Sequence, residues 1–315
     1  MHAVELDSVE FSYAKRKALH GVSFCVEEGQ TTALLGPNGG GKTTIFKILS
    51  TLMRPESGTV RIAGHDLVGD PLEVRRSIGV VFQGSSLDAE LTTYENLVHQ
   101  GHLYGLRGQE LKTRIDYLFD RFGLSDRRSE LAKSLSGGLR RRIELAKALL
   151  HLPKIVLLDE PTNGLDPNVR AEFWSYLFDL KERDGLTILL TTHSLQEAER
   201  CDHLIILSEG VVVASGSPES LKDKIGGEVI VVQCADPEGL AERIRGEFDL
   251  EASVVDGVLR IERGDGHRFV GEIMERFAGE IQSLTVSKPT LEDVFIKETG
   301  HLFEDDEARD PKFEV

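Results

Sequence analysis

The run Gly36-Pro37-Asn38-Gly39-Gly40-Gly41-Lys42-Thr43-Thr44 fits the pattern G-x-x-x-x-G-K-S/T completely. Glycines let successive backbone N–H groups turn inward and close on phosphate oxygens. A helix opening near Lys42 would add its positive end. Lys42 is placed to reach the β- and γ-phosphates, and the Thr43 hydroxyl to ligand Mg²⁺. The run follows the apolar stretch Thr31–Leu35 and precedes a helical pattern, a context that an incidental glycine-rich turn does not have. Together, Asn38 and Gly39–Thr44 form a triphosphate clamp.

A second run, Ile155-Val156-Leu157-Leu158-Asp159-Glu160, delivers two adjacent carboxylates at the end of an apolar strand. Ligands of open α/β sheets sit at that end. Adjacent strand residues point to opposite sides. Asp159 is therefore expected to face Mg²⁺, and Glu160 a water beyond the γ-phosphate, as general base. Alone, an Asp-Glu pair at a strand end reads equally as a solvated turn; the loop at 36–44 decides the matter. A third run, Leu135-Ser136-Gly137-Gly138, precedes the charged helical stretch Arg140–Leu150. Ser136 can cap that helix, and the two glycines leave amides bare at its positive end. One nucleotide does not need two cradles, so this one is expected to serve the nucleotide of another copy.

The elements that position these runs follow from the apolar pattern. Thr31–Leu35, Ile78–Phe82, Ile155–Leu158 and Thr187–Thr191 read as strands buried on both faces, with helices such as Val169–Lys181 between them. That alternation predicts an α/β fold built on a mostly parallel sheet. Hairpin-like stretches near Gly58–Ile62 and Leu204–Val213 add antiparallel strands. A boundary is expected at Gly226-Gly227. Beyond it the pattern reads β-α-β-β-α-β plus a helix, with a hairpin at Asp256-Gly257, as in a small ferredoxin-like domain. The expected organisation is thus 1–226, an accessory α+β domain over 227–300, and an acidic tail over 301–315.

The chain has 315 residues and a formal net charge of −16, with 40% hydrophobic and 29% charged residues. This is a globular composition with ample core material. Its acidity argues against a partner bound by broad phosphate neutralisation, so no nucleic acid is expected. No apolar run approaches the roughly 18–20 residues needed to cross a bilayer, and no signal peptide is visible. Cys25, Cys201 and Cys234 form no CxxC pair, as expected in a reducing compartment.

Gly36–Thr44, Gln83, Leu135–Gly138, Ile155–Glu160, Leu165-Asp166 and His193 stand in the order and spacing of an ABC-type ATPase, and the first 220 residues or so resemble that family. The run Asp159-Glu160-Pro161-Thr162-Asn163-Gly164-Leu165-Asp166-Pro167 looks like the prokaryotic ABC-2-type, daunorubicin/doxorubicin resistance ATPase-like branch. Pro289-Thr290-Leu291-Glu292-Asp293-Val294-Phe295 resembles that branch's accessory domain. The resemblance implies a P-loop NTPase with a helical and an antiparallel subdomain, using ATP and Mg²⁺. It implies that Tyr13 stacks on adenine and that Gln83 contacts Mg²⁺ or the attacking water. Ser136, Gly137 and Gly138 would hold the γ-phosphate across a head-to-tail dimer, Asp166 would run along the seam, and His193 would bind the γ-phosphate and orient Glu160. Ser194 and Glu197 form the pattern of a capping box for the helix after His193.

The implied function is ATP hydrolysis that energises a separate membrane-spanning permease for export, from the cytoplasmic face of the cell membrane, with Ser85–Asn96 as the docking surface. A soluble ABC-type ATPase with a mechanical or regulatory role is the alternative. Two positions depart from the family pattern. Leu139 replaces the usual Gln and is spaced to pack with Ile143, and Gly40 stands where Ala or Ser is common.

Overall fold

The computed structural model describes residues 2–14, 16–248 and 250–303. The acidic tail expected over 301–315 lies outside the described residues from 304 onward. Two compact units are distinguished, one of residues 1–193 with 201–212, the other of 194–200 with the residues from 213 onward.

Up to residue 216 the chain runs β1 (His2–Tyr13), β2 (Arg16–Glu27), β3 (Thr31–Leu35), α1 (Lys42–Leu49), β4 (Ser57–Ile62), β5 (His65–Asp66), α2 (Pro71–Ser77), β6 (Ile78–Val81), α3 (Thr93–Leu103), α4 (Gly108–Arg121), α5 (Gly137–Leu149), β7 (Ile155–Asp159), α6 (Pro167–Asp184), β8 (Thr187–Thr192), α7 (Leu195–Ala198), β9 (His203–Ser208) and β10 (Val211–Gly216). The central sheet has the order β10-β9-β3-β8-β7-β6. Its five strands from β9 to β6 are parallel. Every residue of β3, β7 and β8 is buried, which is why these segments read as unbroken apolar runs. A second, antiparallel sheet has the order β2-β1-β4-β5. The long β1/β2 pair did not emerge from the periodicity. Register shifts at four points along it break the period-two alternation by which a half-buried strand announces itself.

The remaining elements are α8 (Pro218–Asp223), β11 (Glu228–Cys234), α9 (Pro237–Phe248), β12 (Ala252–Val255), β13 (Val258–Arg263), α10 (Gly266–Phe277), β14 (Ile281–Ser287) and α11 (Leu291–Thr299). Their sheet is antiparallel, in the order β12-β13-β11-β14. It covers a core that includes Ile230, Leu240, Leu259, Phe269 and Ile273. Asp256 and Gly257 join β12 to β13 with φ of 49° and 75°, the paired left-handed conformation that matches the twist of a two-residue hairpin.

One local expectation is corrected. Ser194 stands at the N-cap of α7, but its side chain makes no capping hydrogen bond. Its ψ of 119° departs from the 154–168° found where Thr92, Ser136, Ser217 and Thr290 cap their helices with their side chains. The backbone of Ser194 therefore does not present its hydroxyl to the first turn as those residues do. No helix among the described residues is long and apolar enough to cross a membrane.

Candidate active site

The order of the parallel strands brings four sequence runs to one edge of the sheet. The loop 36–44 leaves β3, Gln83 follows β6, Glu160 follows β7 and His193 follows β8, all at the strands' carboxyl ends.

The glycine loop is shaped by its backbone. Gly39 and Gly41 have φ of 81° and 107°, and Gly41 is the N-cap of α1. A Cβ on Gly36 would come within 2.2 Å of the Leu207 carbonyl oxygen, so the loop can lie this close to β9 only without a side chain there. A Cβ on Gly40 would meet the Pro37 and Leu207 carbonyl oxygens at 3.1 and 3.2 Å, a tight fit for the Ala or Ser common at that position. The buried Lys42 ammonium donates to the carbonyls of Gly36 at 2.6 Å and Pro37 at 3.1 Å. Thr43 is exposed and Thr44 is buried. The Thr44 hydroxyl donates to the Tyr13 hydroxyl at 3.5 Å, which sets Tyr13 beside α1. Its ring is 44% exposed and packs edge-on against Phe11, so the residue is braced yet accessible.

Asp159 and Glu160 diverge in a different way from that expected. Asp159 is the last residue of β7, but Glu160 has left the strand, with φ of 44°. The left-handed backbone, not the pleat, separates the two carboxylates. For a residue with a Cβ this conformation costs of order 1–3 kcal/mol and persists only where its surroundings enforce it. The Glu160 amide donates to the Thr191 hydroxyl at 3.0 Å, and that hydroxyl donates to Asp159 Oδ1 at 2.6 Å. Thr191 thus fixes both residues, a role that the sequence, in which it is one more strand residue, does not disclose.

Three side chains converge on the Glu160 carboxylate. Gln83 Nε2 donates to Oε2 at 2.8 Å, Asn163 Nδ2 donates to the same oxygen at 3.1 Å, and His193 Nδ1 lies 3.2 Å from Oε1. The His193 and Glu160 side chains are each only 12% exposed. The hydrogen bond from His193 outweighs burial and, with Asn163 and Lys42, holds the Glu160 carboxyl below its ordinary range. Asp159 moves the other way. Burial pushes it up and the nearby Glu160 adds to the rise, against the Thr191 hydrogen bond and the Lys42 charge. Asn163 was visible only as part of a motif; its reach to Glu160 depends on the turn, where Asn163 N donates to the Glu160 carbonyl at 3.2 Å.

The Ser136 segment has the expected form with an earlier start. The helix begins at Gly137, so both glycines lie in its first turn, and the Ser136 hydroxyl accepts from the Leu139 amide at 3.4 Å. Ser136 and Gly137 are exposed. A Cβ on Gly138 would come within 2.4 Å of Val169 Cγ1, so this glycine is also required for α5 to approach α6. Leu139 is half-buried, and its helix neighbour Ile143 is fully buried. Asp166 is exposed at the N-cap of α6, followed by Pro167 at the first helical position, and makes no capping hydrogen bond with its side chain.

A family model described as "ABC transporter" matches residues 19–163, and one described as "ATP-binding protein DrrA1-3-like, C-terminal domain" matches residues 216–299. The daunorubicin resistance ATP-binding protein DrrA3 of Streptomyces coeruleorubidus is 36% identical, over 95% of this chain and 96% of its own. The Nod factor export ATP-binding protein I of Rhizobium sp. strain N33 is 37% identical, over 96% and 98%. A solved ATP-binding subunit of an ABC transporter superposes with a TM-score of 0.65 at 33% identity, over 71% of this chain and 93% of that one. With the phosphate loop, the paired carboxylates and the Ser-Gly-Gly helix in place on a P-loop NTPase fold, the chain belongs to the ATP-binding subunits of ABC transporters, within the DrrA-like branch.

Proposed function

We propose that this chain hydrolyses ATP as one half of a head-to-tail homodimer and so drives a membrane permease that exports a drug-like, lipid-like or other hydrophobic compound. One observation carries the hydrolytic part: Gln83, Asn163 and His193, from three separate segments, all hold the Glu160 carboxylate. A base kept ionised and fixed in direction can align a water and take its proton. Glu160 is that base, and the ammonium of Lys42 balances phosphate charge. The amides of the loop 36–44 bind the triphosphate, and Tyr13 offers its exposed ring to adenine. The Ser136–Gly138 turn, exposed at Ser136 and Gly137, and the Asp166 edge face the partner's nucleotide.

The donor set fits Mg²⁺. A carboxylate that burial makes reluctant to ionise, as at Asp159, favours a cation beside it, and the Thr43 hydroxyl and Gln83 supply neutral oxygens. Bound there, the ion supplies charge neutralisation on the phosphate oxygens.

The names of the relatives support export, and the absence of a spanning helix among the described residues fits a subunit held on the inner face of the membrane by its permease through Ser85–Asn96. The test is Glu160→Gln. Expected is a protein that binds Mg-ATP, releases almost no phosphate and runs as a dimer in gel filtration only with nucleotide. Unchanged hydrolysis, or hydrolysis at full specific rate from a monomer, overturns the reading. An integral membrane protein co-purifying with the chain supports transport; ribosomes or nucleic acid co-purifying instead would overturn it in favour of a soluble mechanical ATPase.

A further inference from the structure

Helix α5 carries three consecutive arginines, and only the middle one is buried. The Arg141 side chain is 9% exposed and pairs at 2.8 Å with Glu144, which is 2% exposed. Its other bonds go to backbone carbonyls of the two loops at the reactive edge. Nε donates to Pro161 O at 2.9 Å, and Nη1 donates to Phe82 O at 2.5 Å as well as to Glu144. Nη2 donates to Gln83 O at 3.2 Å and Glu160 O at 3.3 Å. A guanidinium has five N–H donors in a rigid plane, and here each has an acceptor. From the same helix, Glu144 accepts from the Ser86 amide at 3.1 Å and Lys147 donates to the Ser86 carbonyl at 2.5 Å.

We infer that Arg141, supported by Glu144, is the positioning residue that couples the two half-sites of one chain: it locks the helix presenting Ser136–Gly138 to the backbone of Gln83 and of Glu160. The inference rests on the dimer reading above. Arg141 lies five residues beyond Ser136 on one rigid helix. A shift of that helix when Ser136–Gly138 engage the partner's nucleotide is transmitted through four directed bonds to the loops that aim this chain's own base. Burying a guanidinium costs several kcal/mol unless every donor is met. A structure that needed only to anchor α5 could do so with apolar packing. Arg141 bonds the Glu160 carbonyl, and so also holds the left-handed turn that points the carboxylate. No member of the loop 36–44 is among its partners, so the nucleotide's own cradle does not depend on it.

The test compares the full-length wild type with Arg141→Lys, with the charge-neutral pair Arg141→Gln/Glu144→Gln, and with Arg142→Gln as a control on the same helix. Lysine keeps the charge opposite Glu144 but cannot form the planar fork, and the double variant removes both charges of the pair together; if either fails to fold, the other carries the test. Thermal melts, equilibrium binding of Mg-ATP, and steady-state phosphate release over a range of ATP concentrations are measured. Expected is a loss of about 10²-fold in kcat, the scale of a misplacement near 1 Å, with Kd within about threefold of wild type. The Hill coefficient falls towards about 1, because the two sites no longer sense each other. Arg142→Gln behaves as wild type. Folded Arg141 variants with wild-type kcat and Hill coefficient overturn the inference, and so does a parallel loss of Kd and kcat, which would mark a general prop of the pocket. A wild-type chain that shows no hydrolysis fails the proposed function itself, a result distinct from both.

Discussion

Each compact unit contains a buried arginine–carboxylate pair, and the two are used differently. In the second unit Arg260 of β13 pairs with Asp293 of α11, side chains 14% and 7% exposed. Asp293 is also the third helical residue of a capping box, taking hydrogen bonds from the Thr290 amide and hydroxyl at 2.8 and 2.7 Å. That pair joins one strand to one helix end, and the Pro289–Phe295 motif is accounted for by the cap, the pair and the buried Phe295 stacked edge-on with Phe303. In the first unit Arg141 spends four of its five donors on loop carbonyls next to the reactive carboxylate. A buried ion pair therefore declares its purpose through its remaining partners. Where these belong to secondary structure the pair anchors, and where they belong to reactive loops it aims.

Substitutions in and around the two pairs tell an aiming role from an anchoring one. The largest effect is expected at the group being aimed: Glu160→Gln should lower kcat by about 10²–10⁴-fold, measured by phosphate release, with Mg-ATP binding retained. A purely structural loss is expected at the other pair. Arg260→Met leaves Asp293 buried without its counter-charge and should destabilise by about 3–5 kcal/mol in denaturant unfolding, while phosphate release per folded molecule stays at the wild-type value. A fall in kcat there would erase the distinction.

The next effect is set by pH. His151 stacks on Tyr104 at 3.7 Å and bonds the Ile78 carbonyl at 2.9 Å, and burial pushes its pKa down from 6.5 to about 4. The unfolded chain therefore takes up this proton first. Its contribution, about 3 kcal/mol, is complete above pH 6.5 and is lost as the pH falls towards 4. Melts of wild type and His151→Gln across that range should differ by this slope, and parallel profiles would refute it. The smallest effect concerns the close approach of α5 to α6. Gly138→Ala should cost about 1–3 kcal/mol in unfolding experiments through its clash with Val169, and Val169→Ala in the same chain should recover most of it.

These examples also separate what a linear sequence discloses from what it hides. The loop 36–44 and the run 155–160 were legible because their chemistry is local: glycines where φ must be positive, carboxylates at the end of an apolar strand. The parallel strands were legible because burial on both faces makes them mostly apolar, their few polar residues standing near the strand ends. Arg141 was not, because in Arg140-Arg141-Arg142 every member reads as a solvated charge, and only the packed helix shows which one turns inward. The Ser194 pattern misled for the opposite reason: the right residue types were present, but the backbone angle that makes a cap was not. Thr191 acts across a strand pair, opposite Asp159, and register is not written in either strand alone.

The left-handed backbone at Glu160 has a consequence for attempts to engineer this protein. Glycine or asparagine would occupy that φ of 44° with less strain than glutamate does. A library screened only for heat resistance should therefore drift at this position towards residues that suit the turn and cannot serve as a base, trading turnover for toughness.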